Sequence, residues 1–143
     1  MAIDAFNGQM HTQNHIYNGG MWFYGLTASE RVEVFDTLST LPYMIEVNTK
    51  FGTVGIIHAD VVFGDWAEAL VRFRSDDPVT PNVVMWSRDR MQSKEIWPVT
   101  GIDHLIVGHN VVDEVTKLAN VVHIDTGGCF KSGKLTVKTI EQL

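Results

Sequence analysis

The spacing of apolar residues predicts a helix in the N-terminal half of the chain. Four of them recur at three-residue intervals: Val32, Phe35, Leu38 and Leu41. Residues at this spacing share one face of a helix. Thr27 and Glu30 stand at the positions of a capping box, so the helix begins after Thr27, and Pro42 ends it. Residues 2–18 mix polar and aromatic side chains and are predicted to be helical in part.

Short apolar runs predict strands in the rest of the chain. These runs are 43–49, 53–58, 104–108 and 121–124, and residues 134–140 alternate like a half-exposed strand. A turn with Asn48 and Gly52 joins the first two runs into a hairpin. Residues 65–73 are predicted as a helix, and residues 75–82, rich in Asp and Pro, as a loop. The pattern predicts an α+β (α/β) fold, a mixed β-sheet with flanking helices in a single domain, 1–143.

Composition and charge restrict the class of partner. The chain has 143 residues, of which 45% are hydrophobic and 20% charged, as is typical of one globular domain. Its formal net charge of -6 leaves no basic surface to neutralise phosphates, so direct nucleic-acid binding is not expected. No apolar run approaches the roughly 20 residues that cross a membrane, and no signal peptide is visible. We expect a cytoplasmic protein whose single cysteine, Cys129, is reduced and buried.

Two histidines are the strongest candidates for a chemical role. His58 follows the apolar run 54–57, and His109 closely follows the run 104–107. A strand that ends in this way brings an imidazole to the sheet edge where α/β proteins bind ligands, and neutral imidazole is the commonest metal ligand. Two such strand ends predict part of a metal site, in which Asp60 either orients an imidazole or ligates the metal. The alternative for each histidine is a buried imidazole bonded to a backbone carbonyl.

Arg88 is the candidate anion ligand. It lies two residues after Trp86, and a guanidinium matches phosphate oxygens through its two-pronged arrangement of donors. The alternative is an exposed charge cluster of Arg88 with Asp89 and Arg90. Asp125 begins a segment with the composition of a tight turn. Three further histidines lack the spacing of ligands and are predicted to be structural: His11, His15 and His123.

Four segments occur in an order that resembles one protein family. They are Ile57-His58-Ala59-Asp60, Met85-Trp86-Ser87-Arg88, Val107-Gly108-His109-Asn110 and Ile124-Asp125-Thr126-Gly127-Gly128. Together they are similar to the C-terminal motifs of metal-dependent serine/threonine protein phosphatases, in particular the phage and bacterial group of the calcineurin-like metallophosphoesterases. The resemblance implies two metal ions, commonly manganese, iron or zinc, whose activated water attacks a phosphoprotein. It also implies that His58 and His109 are ligands of one metal and that Arg88 binds the phosphate oxygens.

The chain also departs from the family pattern. The family's GDxHG, GDxVDRG and GNHE motifs, which supply the metal-binding carboxylates and the catalytic histidine, do not occur. We therefore expect a partial metallophosphoesterase fold without its N-terminal third. Alone it would bind metal weakly or not at all and be an inefficient phosphatase, because two imidazoles do not replace bridging carboxylates.

The resemblance has consequences for partners and location. A partial fold would leave apolar sheet surface and a strand edge exposed, which favours a homodimer or a complex with another protein. The expected location is the cytoplasm of a bacterium or of a phage-infected host. The alternative function is that of a phage-encoded, phosphatase-derived protein that binds and inhibits a host or defence protein.

Overall fold

The first 42 residues form a small helical unit. The computed structural model describes residues 2–8, 11–75 and 77–142, which divide into two compact units after Pro42. The helices of the first unit are α1 (Ala2–Phe6), α2 (Thr12–His15), α3 (Met21–Tyr24) and α4 (Ala28–Ser39), with a π-type turn at Ile16–Gly20. The predicted capping box is present, since the Thr27 hydroxyl accepts from the Glu30 amide and the Glu30 carboxylate accepts from the Thr27 amide.

Aromatic rings hold these short helices together. The Phe6 ring of α1 stacks on Phe35 of α4 with the ring centroids 4.5 Å apart. His15 is buried and its Nδ1 lies 3.2 Å from the Tyr24 hydroxyl. Helices of four or five residues are not stable alone, so their stability comes from such side-chain packing. His15 is structural, as its spacing predicted.

The second unit is built on a mixed five-stranded sheet. Its strands are β1 (Met44–Thr49), β2 (Gly52–Ile57), β3 (His104–Val107), β4 (Thr116–Leu118) and β5 (Val121–His123). The strand order is β1-β2-β3-β5-β4, with β2, β3 and β5 parallel and the two outer strands antiparallel to their neighbours. The connections contain α5 (Trp66–Arg74), α6 (Thr80–Trp86) and α7 (Asp89–Ser93), and 3-10 turns lie at Val62–Gly64 and Ile140–Gln142.

One face of the sheet forms the core. Alternate strand residues pack there against α5 and α6: Ile57, Leu105, Val107 and Val121 from the strands, and Trp66, Ala69 and Val84 from the helices. The Trp66 indole Nε1 donates to Glu46 Oε2 at 2.6 Å, which satisfies its polar atom at the sheet edge. Gly55 is required beside this ring, because a Cβ there would lie 2.8 Å from Trp66 and 2.6 Å from Ile102.

Most of the predicted elements are confirmed, and three predictions are wrong. The α+β fold class, the 44–57 hairpin and helix α5 with its Asp65 cap agree with the sequence pattern. The predicted loop 75–82 contains the start of α6, whose first turn accommodates Pro81 because an N-terminal turn needs no amide donor there. Residues 134–140 form no strand but a single bridge, Gly127 to Lys134, and Cys129 is exposed. In the described ranges no helix has the length and apolar character to cross a bilayer.

Candidate functional site

The parallel pairing of β2 and β3 brings the two predicted histidines together. Ile57 is paired with Val107, so the residues that follow leave the sheet at the same end. The Gly108 amide donates to the His58 carbonyl at 2.9 Å and extends this pairing. His58 Nε2 then lies 3.2 Å from His109 Nδ1. The convergence inferred from two separate strand ends is therefore found in the structure.

His109 occupies a strained turn. Its φ of 60° lies in the left-handed region, which costs a non-glycine residue free energy. The turn is closed by the Asn110 amide, which donates to the Gly108 carbonyl at 2.6 Å. The ring of His109 is partly buried, and a hydrogen bond to the Trp86 backbone holds it from the other side. Such backbone strain is typical of functional sites rather than of a relaxed loop.

Both imidazoles are neutral near pH 7. Burial lowers the pKa of His58 below its usual value, and the Asp125 carboxylate opposes part of that shift. Burial also lowers the pKa of His109. The positive charge of Arg88 adds to the shift, as does the repulsion that a protonated His58 would exert. Neutral imidazole is the form that binds a metal, since a protonated nitrogen has no lone pair to donate.

Arg88 is held beside the histidine pair by one buried side chain. The exposed Arg88 donates through Nη1 to Asn110 Oδ1 at 3.3 Å, and Asn110 Nδ2 donates to the Ser87 carbonyl at 3.1 Å. Asn110 is 5% exposed and directly follows His109. The Trp86 ring meets the His109 ring edge-on, with centroids 5.7 Å apart. The guanidinium is therefore positioned from the same turn that carries His109.

The histidine pair fits one metal ion in part. Two nitrogen ligands roughly 2.0–2.1 Å from one ion stand about 3 Å apart when they occupy adjacent coordination positions. The 3.2 Å between His58 Nε2 and His109 Nδ1 agrees with this spacing. However, no group of three His, Cys, Asp or Glu side chains in residues 2–8, 11–75 and 77–142 is arranged to hold a metal. His58 and His109 could therefore provide two ligands to one ion, and the described residues include no three-ligand group that would hold it more firmly.

Two other side chains differ from their sequence-based interpretation, and a third has an additional role. Asp60 orients neither imidazole of the pair, because its carboxylate accepts from Arg90 Nε at 3.1 and 3.2 Å. Arg90 is 4% exposed and does not belong to a surface cluster with Arg88. Asp125 forms the predicted turn through Gly127, but its charge also acts on both His58 and His109. Asp125 lies two residues after the end of strand β5, a position similar to that of His109 after β3.

Comparisons with known proteins give three bacterial phosphatases. The chain is 36% identical to Serine/threonine-protein phosphatase 2 of Salmonella typhimurium over 95% of its own length and 61% of that protein. It is 33% identical to Serine/threonine-protein phosphatase 1 of the same organism, over 99% of the chain and 62% of that protein. The identity to Serine/threonine-protein phosphatase 2 of Escherichia coli is 31%, over 99% and 63%. No family model matches the chain.

These similarities confirm the resemblance inferred from the four segments. The chain is homologous to bacterial serine/threonine-protein phosphatases over nearly its whole length. It spans about three fifths of the length of these relatives, 61–63% of each. The sheet with flanking helices is compatible with part of a phosphoesterase fold.

Proposed function

We propose that this homologue of bacterial serine/threonine-protein phosphatases supplies two metal ligands and a phosphate-binding arginine to a metal-dependent phosphatase site. The observation that supports the proposal most strongly is the 3.2 Å approach of His58 Nε2 to His109 Nδ1. Three further features suit a phosphoester site. The two imidazoles are neutral, His109 lies in a strained turn, and Arg88 is anchored to that turn. The substrate class is a phosphoprotein, by analogy with the names of the relatives.

Each residue has a separate task in this site. His58 and His109 would hold one ion. Imidazole ligands suit iron and zinc, whereas manganese is suited by added carboxylate ligands. A metal held there would supply a water of lowered pKa and would neutralise phosphate charge. Arg88 binds two phosphate oxygens and stabilises the charge that develops on them during attack. Asn110 positions both His109 and Arg88, since it directly follows His109 in the chain and its Oδ1 accepts a hydrogen bond from Arg88.

The site needs further ligands to be efficient. Without a third ligand among the described residues, an ion held by two imidazoles is bound weakly, and nothing bridges it to a second ion. We therefore propose that the chain alone is an inefficient phosphatase. A polypeptide that supplies metal-binding carboxylates, on the same chain or another, would complete the site.

Phosphatase assays with manganese test this proposal. Turnover of p-nitrophenyl phosphate by the purified chain is expected to equal the buffer rate. Co-expression with the part of Salmonella typhimurium phosphatase 2 that the chain does not match should give metal-dependent turnover. His58→Ala or Arg88→Ala should then lower kcat by about 10²-fold or more, the scale for loss of one charge-stabilising group.

His11→Ala is the matched control, because His11 is exposed and lies in the helical unit. It should retain the activity of the co-expressed pair. Efficient turnover by the chain alone that His58→Ala abolishes would contradict the need for added ligands. Turnover of the pair that survives both substitutions would contradict the assignment of the site.

A second candidate function is protein binding without catalysis. Apolar side chains are exposed on the sheet face opposite the core, with Ile45 43% and Val47 37% exposed, and along the segment after the last strand, with Leu135 84% and Val137 81% exposed. Apolar residues in extended segments favour pairing with another polypeptide. We propose that these residues bind a second copy or another protein. Light scattering on the assay samples tests the binding of a second copy, which a monomer at micromolar concentration would contradict.

A further inference from the structure

A cleft is lined by the residues on either side of Arg88 in the chain. It has a volume of about 420 Å³, within the range of roughly 300–1,000 Å³ of ligand-binding clefts. Ser87 and Asp89 both line it, and Arg88 lies between them in the chain. Asp60, which lies two residues after His58, forms another part of the wall. The cleft is therefore within one residue of the proposed phosphate ligand along the chain, close enough for a side chain near the phosphorylated residue of a peptide to reach it.

The cleft combines apolar walls with an excess of negative charge. Val79, Val83 and Phe63 contribute apolar surface, and Phe63 is 78% exposed at the rim. Asp89 and Glu95 contribute carboxylates. In the described part of the chain, neither carboxylate is within ion-pair distance of a lysine or arginine. They are free to bind a cation that enters from solvent.

The one positive charge in the described lining of the cleft is already neutralised. Arg90 is the one cation among the described residues that line the cleft, and its guanidinium is bound to Asp60 and to the Trp97 carbonyl. Arg72 lies over the Phe63 ring at 4.8 Å but is ion-paired with Glu68 Oε1 at 2.7 Å. Three carboxylates and one guanidinium leave the cleft with a net charge of about −2 at neutral pH.

We propose that this cleft binds a lysine or arginine side chain that lies close to the phosphorylated residue of the substrate. Such a side chain places its methylene stem on apolar surface and keeps its charged end beside carboxylates. Val79 and Val83 suit the stem, and Asp89 and Glu95 suit the charged end. The inference rests on the proposed function, because the phosphate bound to Arg88 determines which residue of the substrate lies at the cleft.

Peptide binding to the chain tests the inference without turnover. The probes are fluorescent phosphoserine peptides of alanine and glycine, with one lysine moved stepwise through the three positions on either side of the phosphoserine. Fluorescence anisotropy should give about tenfold tighter binding at one or two of these positions than for the peptide without lysine. The doubly substituted chain Asp89→Asn/Glu95→Gln should lose that preference. It should still bind phosphorylated better than unphosphorylated peptide.

Glu33→Gln/Asp36→Asn is the matched control, because it removes the same two charges from exposed positions of α4. It should keep the lysine preference, and thermal melts should confirm that both double variants are folded. Binding that depends on phosphate but not on lysine contradicts the cleft inference and leaves the phosphate site intact. Binding that depends on lysine but not on phosphate supports the cleft and contradicts the role of Arg88. No binding of any peptide contradicts both.

Discussion

Arg90→Leu is expected to lower the free energy of unfolding by about 3–5 kcal/mol at pH 7, the cost of breaking a buried ion pair on one side. Arg90 is 4% exposed, and its Nε donates to both carboxylate oxygens of Asp60, itself 7% exposed. Burial raises the pKa of the Asp60 carboxyl, and the Arg90 charge lowers it in part. Without Arg90 the carboxylate remains buried, and the hydrogen bond left to it among the described residues is the one from the Val61 amide.

Urea unfolding of three variants measures this effect. The double variant Asp60→Asn/Arg90→Leu should recover part of the loss, because it leaves no buried charge. The unfolding free energy of Arg90→Lys should lie between those of the wild type and Arg90→Leu. An ammonium keeps the charge but cannot bond Asp60 and the Trp97 carbonyl with the same geometry. The loss of unfolding free energy caused by Arg90→Leu should become smaller at lower pH, because Asp60 becomes protonated there. A loss below about 1 kcal/mol, the scale of a surface pair, would contradict a buried pair.

Acidification is expected to destabilise the fold through His123. Burial lowers the pKa of His123 to about 4, with smaller contributions from Arg90 and Lys94. The unfolded chain takes up the proton below its ordinary pKa of 6.5, whereas the folded chain resists until about 4. Stability is therefore lost as the pH falls from about 6.5 to about 4. The shift corresponds to about 3 kcal/mol, at 1.36 kcal/mol for each unit of pKa.

His123→Leu should flatten this pH dependence. His123 is 1% exposed, and neither ring nitrogen has a partner among the described residues, so leucine removes two unsatisfied atoms. At pH 7 the variant should be about as stable as the wild type or more so. The slope should not vanish, because burial also lowers the pKa values of His58 and His109. Equal slopes for wild type, His123→Leu and the exposed-site control His11→Leu would show that His123 is not responsible.

The elements predicted from sequence are those whose signals are local or follow from strand order. The Thr27–Glu30 capping box lies within one turn of α4, and its geometry is present as its spacing predicted. His58 and His109 were found because parallel strands end at the same edge of a sheet. Their separation of 51 residues in the chain did not matter once both strands were recognised.

The features that sequence did not predict depend on tertiary partners. The Asp60–Arg90 pair joins residues 30 positions apart, and no periodicity indicates that an arginine will be buried. Apolar and polar side chains alternate along residues 134–140 as they do in a strand. A strand also needs a neighbouring strand to bond, and in this segment only Lys134 forms a bridge. The charge of Asp125 on both histidines became visible only when β5 was placed beside β3.

Titration of zinc into the chain near pH 7 tests the central claim, that two histidines form an incomplete metal site. We predict weak binding of one ion per chain, measured by calorimetry. His58→Ala and His109→Ala should each abolish it or weaken it at least tenfold, whereas His11→Ala should bind as the wild type does. Tight binding of two ions per chain, or binding unchanged in both alanine variants, would contradict the account.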